Sequence, residues 1–77
     1  MTNRVKQLKE ILRLARTKSG LSQSQLAKKI GVTKAYVSNL ESMWVTYTTE
    51  TPLLNALDAL GVDVMTDLDE IINSLKK

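Results

Sequence analysis

The chain has 77 residues, with 11 Lys and Arg, 8 Asp and Glu, and neither Cys nor His. This length predicts one domain, near the lower size limit for a self-sufficient hydrophobic core. Without Cys and His, the chain lacks the usual zinc ligands, thiol nucleophiles and imidazole bases, which argues against an enzyme and against a metal or other cofactor. No apolar run is long enough to span a bilayer and the N-terminus has no signal-peptide core, so the sequence predicts a cytoplasmic protein.

Positive charge is concentrated in the N-terminal half of the sequence. Residues 1–40 contain nine Lys and Arg against one acidic residue, a formal charge of +8. Residues 41–77 contain two lysines against seven acidic residues, a formal charge of −5. This asymmetry predicts that the first half meets a polyanion. Neutralisation of phosphates would supply non-specific affinity that falls as the salt concentration rises.

The first predicted helix runs from Asn3 to about Lys18. Its apolar residues recur at helical spacing and so form one buried stripe. Basic residues in the last turn suit the helix dipole, and Gly20 ends the helix. The stripe consists of Val5, Leu8, Leu12 and Ala15.

Residues 22–41 have the pattern of two short helices joined by a tight turn. Ser22 is a good N-cap, and the glutamine three residues later completes a capping box. Gly31 ends this helix because it adopts the left-handed conformation without a Cβ penalty. Thr33 caps the second helix, which is predicted from about residue 34 to residue 40 or 41.

Two helices joined by a short turn with a glycine describe a helix-turn-helix, whose second helix enters the major groove of DNA. At about 100° per residue, Val37 and Leu40 face the core. The opposite face suits base reading, because Lys donates to guanine, Asn pairs with adenine and Ala contacts a thymine methyl. On periodicity alone, a merely solvated polar face stays open as the alternative. The predicted base-reading residues are Lys34, Ala35 and Asn39, with Tyr36 and Ser38 as secondary contacts.

This stretch resembles the Xre-type helix-turn-helix family, which includes the lambdoid phage repressors and Cro proteins. The resemblance covers about residues 8–64 and is carried by Leu21-Ser22-Gln23, Leu26-Ala27, Ile30-Gly31-Val32, Val37-Ser38 and Leu40-Glu41. It implies a compact, all-α, five-helix lambda-repressor-like fold in which helices 2 and 3 bind DNA. It also implies a phosphate contact by Gln23 and an ion pair between Arg16 and Glu41. The residues predicted to contact the DNA backbone are Gln23, Ser22, Thr33 and Lys28.

The segment Ser42–Thr48 departs from the pattern of that family. Most members have a short Asn-Gly turn with Lys or Arg here, whereas this segment has no glycine and no positive charge occurs between Asn39 and Leu75. It carries Trp44 and Tyr47, two of the three aromatic residues of the chain. Such residues are typical interface anchors and predict a contact with a second copy or a partner protein. The alternative, that Trp44 folds back over the small core, stays open.

Two further helices complete the prediction. The fourth begins at Thr49 or two residues later, with Pro52 in its first turn, and ends at Gly61. Thr66 is predicted to cap a last helix over about residues 66–76, with acidic residues at its start and lysines at its end. Its apolar stripe covers either the chain's own core or a second copy, and we favour dimerisation. The predicted interface residues are Leu68, Ile71, Ile72 and Leu75, together with Trp44 and Tyr47.

Residues 1–77 are therefore predicted to form a single DNA-binding domain with its motif at about residues 22–41. The predicted function is a sequence-specific, double-stranded DNA-binding transcriptional regulator, a homodimeric repressor that reads a palindromic operator through the major groove. One alternative is an antitoxin that binds a toxin protein and represses its own operon. Another is a protein-interaction module with a degenerate helix-turn-helix. Phage, restriction-modification and toxin-antitoxin contexts differ in operator and neighbouring genes rather than in residues.

Overall fold

The computed structural model describes residues 2–77, which form five α-helices and no β-strand. The all-α, five-helix prediction is thereby confirmed. None of the helices in these residues is long and apolar enough to cross a membrane. The helices are α1 (Asn3–Lys18), α2 (Gln23–Ile30), α3 (Lys34–Glu41), α4 (Glu50–Ala59) and α5 (Leu68–Leu75).

Helix α1 is the element against which most of the chain packs. It contacts α3, α4 and α5, while α2 packs mainly on α3. Leu8, Ile11 and Leu12 of α1 have no exposed surface. Their burial follows from the apolar stripe of the helix, since residues three and four apart share one face. The other helices complete the core with Leu26, Ala27, Val37, Leu40, Leu53, Ala56, Leu57, Leu68 and Ile72.

Short-range hydrogen bonds define the ends of α2 and α3. Ser22 Oγ accepts from the backbone N–H of Gln25 at 3.0 Å, and Gln25 Oε1 accepts from the backbone N–H of Ser22 at 2.7 Å. This is the expected capping box. Gly31 has φ 74° and ψ 34°, a left-handed conformation that is unfavourable for residues with a Cβ atom. Thr33 Oγ1 accepts from the N–H of Tyr36 at 3.1 Å, so α3 begins where the sequence predicted.

Helix α4 begins within one residue of its predicted start, whereas the cap of α5 differs from the prediction. Thr49 is the N-cap of α4, but its side chain makes no capping hydrogen bond. Asp67, rather than Thr66, caps α5, because Asp67 Oδ1 accepts from the N–H of Asp69 at 2.8 Å. The predicted cap at Thr66 was wrong since a carboxylate one residue later serves the positive end of the helix better than a hydroxyl.

The apolar stripe of α5 largely covers the chain's own core. Leu68 and Ile72 are each 8% exposed, because α5 lies along α1. Ile71 and Leu75 are partly buried against the same core. A single chain thus already buries Leu68 and Ile72, and an interface with a second copy on this stripe stays a prediction.

An ion pair joins the end of α1 to the end of α3. Arg16 Nε donates to Glu41 Oε2 at 2.6 Å, and Arg16 Nη2 donates to Glu41 Oε1 at 3.0 Å. Arg16 Nη1 also donates to the backbone oxygen of Leu21 at 2.7 Å. The Arg16 and Glu41 side chains are 15% and 4% exposed. Removal of either partner would therefore leave the other charge poorly solvated.

A double-mutant cycle on this pair tests its contribution to stability. Arg16→Met or Glu41→Leu alone should lower the free energy of unfolding by about 3 kcal/mol, because each leaves an uncompensated charge. The double variant should lose clearly less than the sum, as measured by urea unfolding. The exposed pair of Arg4 and Glu50, with side chains 47% and 41% exposed, is the matched control. The coupling energy of this control pair should stay below about 1 kcal/mol. Strictly additive losses of unfolding free energy at Arg16 and Glu41 would contradict a stabilising interaction between them.

Candidate nucleic-acid interface

Helix α3 presents one polar face to solvent and one apolar face to the core. Val37 is fully buried and Leu40 is 4% exposed. Tyr36 lies at the edge of the polar face and is 41% exposed. The structure thus brings the five predicted base-reading residues to one accessible surface, and their contact with bases stays a prediction. The other exposed members of this surface are Lys34, Ala35, Ser38 and Asn39.

The residues predicted to contact the DNA backbone lie around α2 and the start of α3. Ser22 and Thr33 are exposed N-caps whose oxygens each accept a backbone N–H. Their hydroxyl hydrogens remain available for a phosphate oxygen. Lys28 is exposed in the last turn of α2. Gln23 is half-buried, and its Nε2 donates to Glu41 Oε1 at 3.3 Å, so its amide also links α2 to the end of α3.

Lys9 supports this surface and was missed by the sequence analysis. Its side chain is fully buried. Its Nζ donates to Asn39 O at 3.0 Å, Leu40 O at 3.1 Å and Thr48 Oγ1 at 2.9 Å. These bonds use all three ammonium donors, while burial lowers the pKa of Lys9. The sequence carries a signal for this role, because Lys9 lies four residues after Val5 and three before Leu12, at the edge of the apolar stripe of α1.

The α3–α4 segment, residues 42–49, exposes large apolar side chains. Trp44 is 94% exposed, Tyr47 is 78% exposed and Met43 is 45% exposed. Trp44 therefore does not fold back over the core, and that alternative is excluded. The segment contains no charged residue, so it cannot form ion pairs with phosphates.

A cleft of about 250 Å³ separates α3 from the α3–α4 segment. Two phenol rings and the Asn39 amide contribute to its lining. The cleft adjoins the predicted base-reading surface, because Tyr36 and Asn39 belong to both. Within residues 2–77, no group of acidic side chains is arranged to hold a metal ion. The cleft is lined by Tyr36, Asn39, Leu40, Tyr47, Thr48, Thr49 and Pro52.

A larger depression, of about 530 Å³, lies at the junction of α4 with residues 61–64. Asp58 and Asp63 are among its lining residues, and none of the lining residues belongs to α2 or α3. Its acidic rim would repel a polyanion. The candidate interface is therefore the polar surface of α3 together with the exposed parts of α2.

Comparison with known proteins agrees with this geometry. A model of the helix-turn-helix family matches residues 12–65, which is more than half of the chain. The match includes α2, α3 and α4 in full and the second half of α1. No curated protein and no solved structure matches the chain.

Proposed function

The chain belongs to the Xre-type, lambda repressor-like helix-turn-helix family, and we propose that it is a transcriptional repressor that binds a palindromic operator as a homodimer. Members of this family are DNA-binding regulators. The observation that carries the proposal is the solvated polar face of α3, whose opposite face is anchored in the core.

Base reading is assigned to the first two turns of α3. The exposed Asn39 amide is suited to a bidentate pair with adenine, and the Lys34 ammonium group is suited to guanine O6 and N7. Ala35 offers a methyl group to thymine, with Tyr36 and Ser38 as neighbouring contacts. The core contacts of Val37 and Leu40 support this assignment, since they prevent the helix from rotating away from the groove.

Phosphate contacts are assigned to the residues that surround α3. The hydroxyls of Ser22 and Thr33 and the amide of Gln23 orient the protein, and Lys28 supplies charge. Lys29 is also exposed in the last turn of α2 and adds to this charge. Because these contacts carry no sequence information, they determine affinity and register rather than the choice of operator.

The dimer contact is assigned to the α3–α4 segment rather than to the whole stripe of α5. Trp44 and Tyr47 of one copy would pack against the same residues of the other copy across a two-fold axis. The segment has no charged residue, so a two-fold axis through it would not bring like charges of the two copies together. Met43, Trp44 and Tyr47 of two copies offer roughly 1,000 Å² of contact surface. That area is near the lower limit of specific interfaces, which implies a weak dimer that forms mainly on DNA.

The same exposed aromatic side chains support a second candidate function, that of an antitoxin. In this case a toxin protein would occupy the α3–α4 segment, and the complex would repress its own operon. Exposed Trp and Tyr are frequent anchors of protein interfaces. Co-purification of a stoichiometric partner encoded by an adjacent gene would favour this candidate over the homodimer.

A selection from a random pool of double-stranded DNA at about physiological salt tests the proposal. We expect enrichment of an inverted repeat whose half-sites lie about 34 Å apart, the spacing of successive major grooves. Specific binding should exceed non-specific binding by about 10³-fold or more. A pool that shows no enrichment would contradict a sequence-specific regulator.

Substitution of Asn39 tests the assignment of base reading. Asn39→Ala should weaken operator binding by about 1–3 kcal/mol and relax the preference at one base pair, because a bidentate contact is lost. Asn55→Ala, at an exposed asparagine of α4, is the matched control and should bind like the wild type. An equal loss on all sequences would instead assign Asn39 to the phosphate backbone.

Substitution of Trp44 tests the dimer contact. Trp44→Ser should abolish cooperative binding to a complete operator and leave binding to an isolated half-site unchanged, as measured by gel mobility shift. Met65→Ser, at a methionine that is 89% exposed, is the control. Equal weakening on the half-site would show that Trp44 contacts DNA, and unchanged cooperativity would locate the interface elsewhere.

A further inference from the structure

We infer that Lys9 is a positioning residue for operator recognition, because its buried ammonium group holds the last turn of α3 and the end of the α3–α4 segment against α1. This inference rests on the proposed function, in which Asn39 reads a base. Lys9 has no exposed surface. It therefore acts through the residues it binds and not through contact with DNA.

The first part of this role is the anchoring of α3. The oxygens of Asn39 and Leu40 lie in the last turn of the helix, where carbonyl groups lack the usual partner four residues later in the helix, although Asn39 O also accepts from the N–H of Ser42 at 3.4 Å. Lys9 Nζ donates to both, at 3.0 Å and 3.1 Å. A positive charge at this end of a helix also interacts favourably with the helix dipole. The backbone that carries the Asn39 side chain is thus held directly by α1.

The second part is the anchoring of the α3–α4 segment. The third donor of Lys9 is used by Thr48 Oγ1, at 2.9 Å. Thr48 follows Tyr47 in the chain and, like Asn39, lines the cleft. One buried group therefore binds the wall of the cleft formed by α3 and the wall formed by the segment. The width of the cleft, and the position of Tyr47 beside the base-reading surface, depend on this group.

The chemistry of the contact distinguishes positioning from simple filling of space. Lys9 is paired with three uncharged oxygens, and burial of a charge without a counter-charge is costly. An apolar side chain of similar length would fill the same volume at lower cost in solvation. What it would not supply is three directed hydrogen bonds to two separate segments. What lysine contributes at this position is therefore the relative placement of α3 and the α3–α4 segment.

The test compares three variants of the full chain: Lys9→Met, Thr48→Val and Lys6→Met. Lys6 is exposed on α1 and serves as the matched control for the loss of one positive charge. The measurement is the ratio of affinities for the selected operator and for a scrambled duplex of equal length. Each ratio is determined at a temperature where circular dichroism shows the variant to be folded.

Lys9→Met should lower the specificity ratio about tenfold, a loss comparable to that of one base contact. The loss should be concentrated at the base pair that Asn39→Ala also affects. Thr48→Val removes one of the three acceptors and should lower the ratio in the same direction by a smaller factor. Lys6→Met should weaken binding to both duplexes equally and leave the ratio unchanged.

Two results would overturn the inference while leaving the proposed function intact. A folded Lys9→Met variant with the wild-type ratio would show that Lys9 serves stability alone. If Lys9→Met does not fold, an unchanged ratio in Thr48→Val overturns the inference by itself. A wild-type protein with a ratio of about one would instead overturn the proposed function, and this is visible before any substitution is made.

Discussion

Two cationic side chains of α1, one fully buried and one partly buried, hold the C-terminal end of α3, and the rest of the candidate interface depends on them. Arg16 pairs with the Glu41 carboxylate, while Lys9 donates to the last carbonyl groups of the helix. An isolated helix of eight residues is only marginally stable in water. These contacts, together with the burial of Val37, therefore determine the orientation of the surface that would enter the major groove.

The positive charge of the first half of the chain has two different uses. Arg4, Lys9 and Arg16 are engaged in ion pairs or hydrogen bonds within the chain. Lys28, Lys29 and Lys34 are exposed on α2 and α3, where the proposed function assigns positive charge to phosphate binding. The formal charge of +8 on residues 1–40 therefore overstates the charge available to DNA. Lys9 and Arg16 hold the end of α3, and because these two charges are largely buried, salt screens them less than it screens exposed charges.

The neutral α3–α4 segment marks the main departure from the pattern of the family. Without Lys or Arg it cannot contribute to phosphate binding through charge. Its exposed aromatic side chains and the adjoining cleft instead have the properties of a protein interface. Since Leu68 and Ile72 are buried within one chain, the proposed contact with a second protein is assigned to this segment. It also borders the base-reading surface, so protein binding and DNA binding would be coupled through neighbouring residues.

Local patterns in the sequence are enough to predict the helices and the turn between α2 and α3, because caps such as Ser22, Gly31 and Thr33 act within one helical turn. Periodicity likewise identified the exposed face of α3. Packing between distant helices is needed to see that Trp44 is exposed, that α5 packs on the chain's own core and that Lys9 binds the end of α3. The partners of Lys9 lie 30 to 39 residues away in the chain. A buried donor finds such partners only when the packing of distant helices brings them together, and local sequence patterns do not encode that packing.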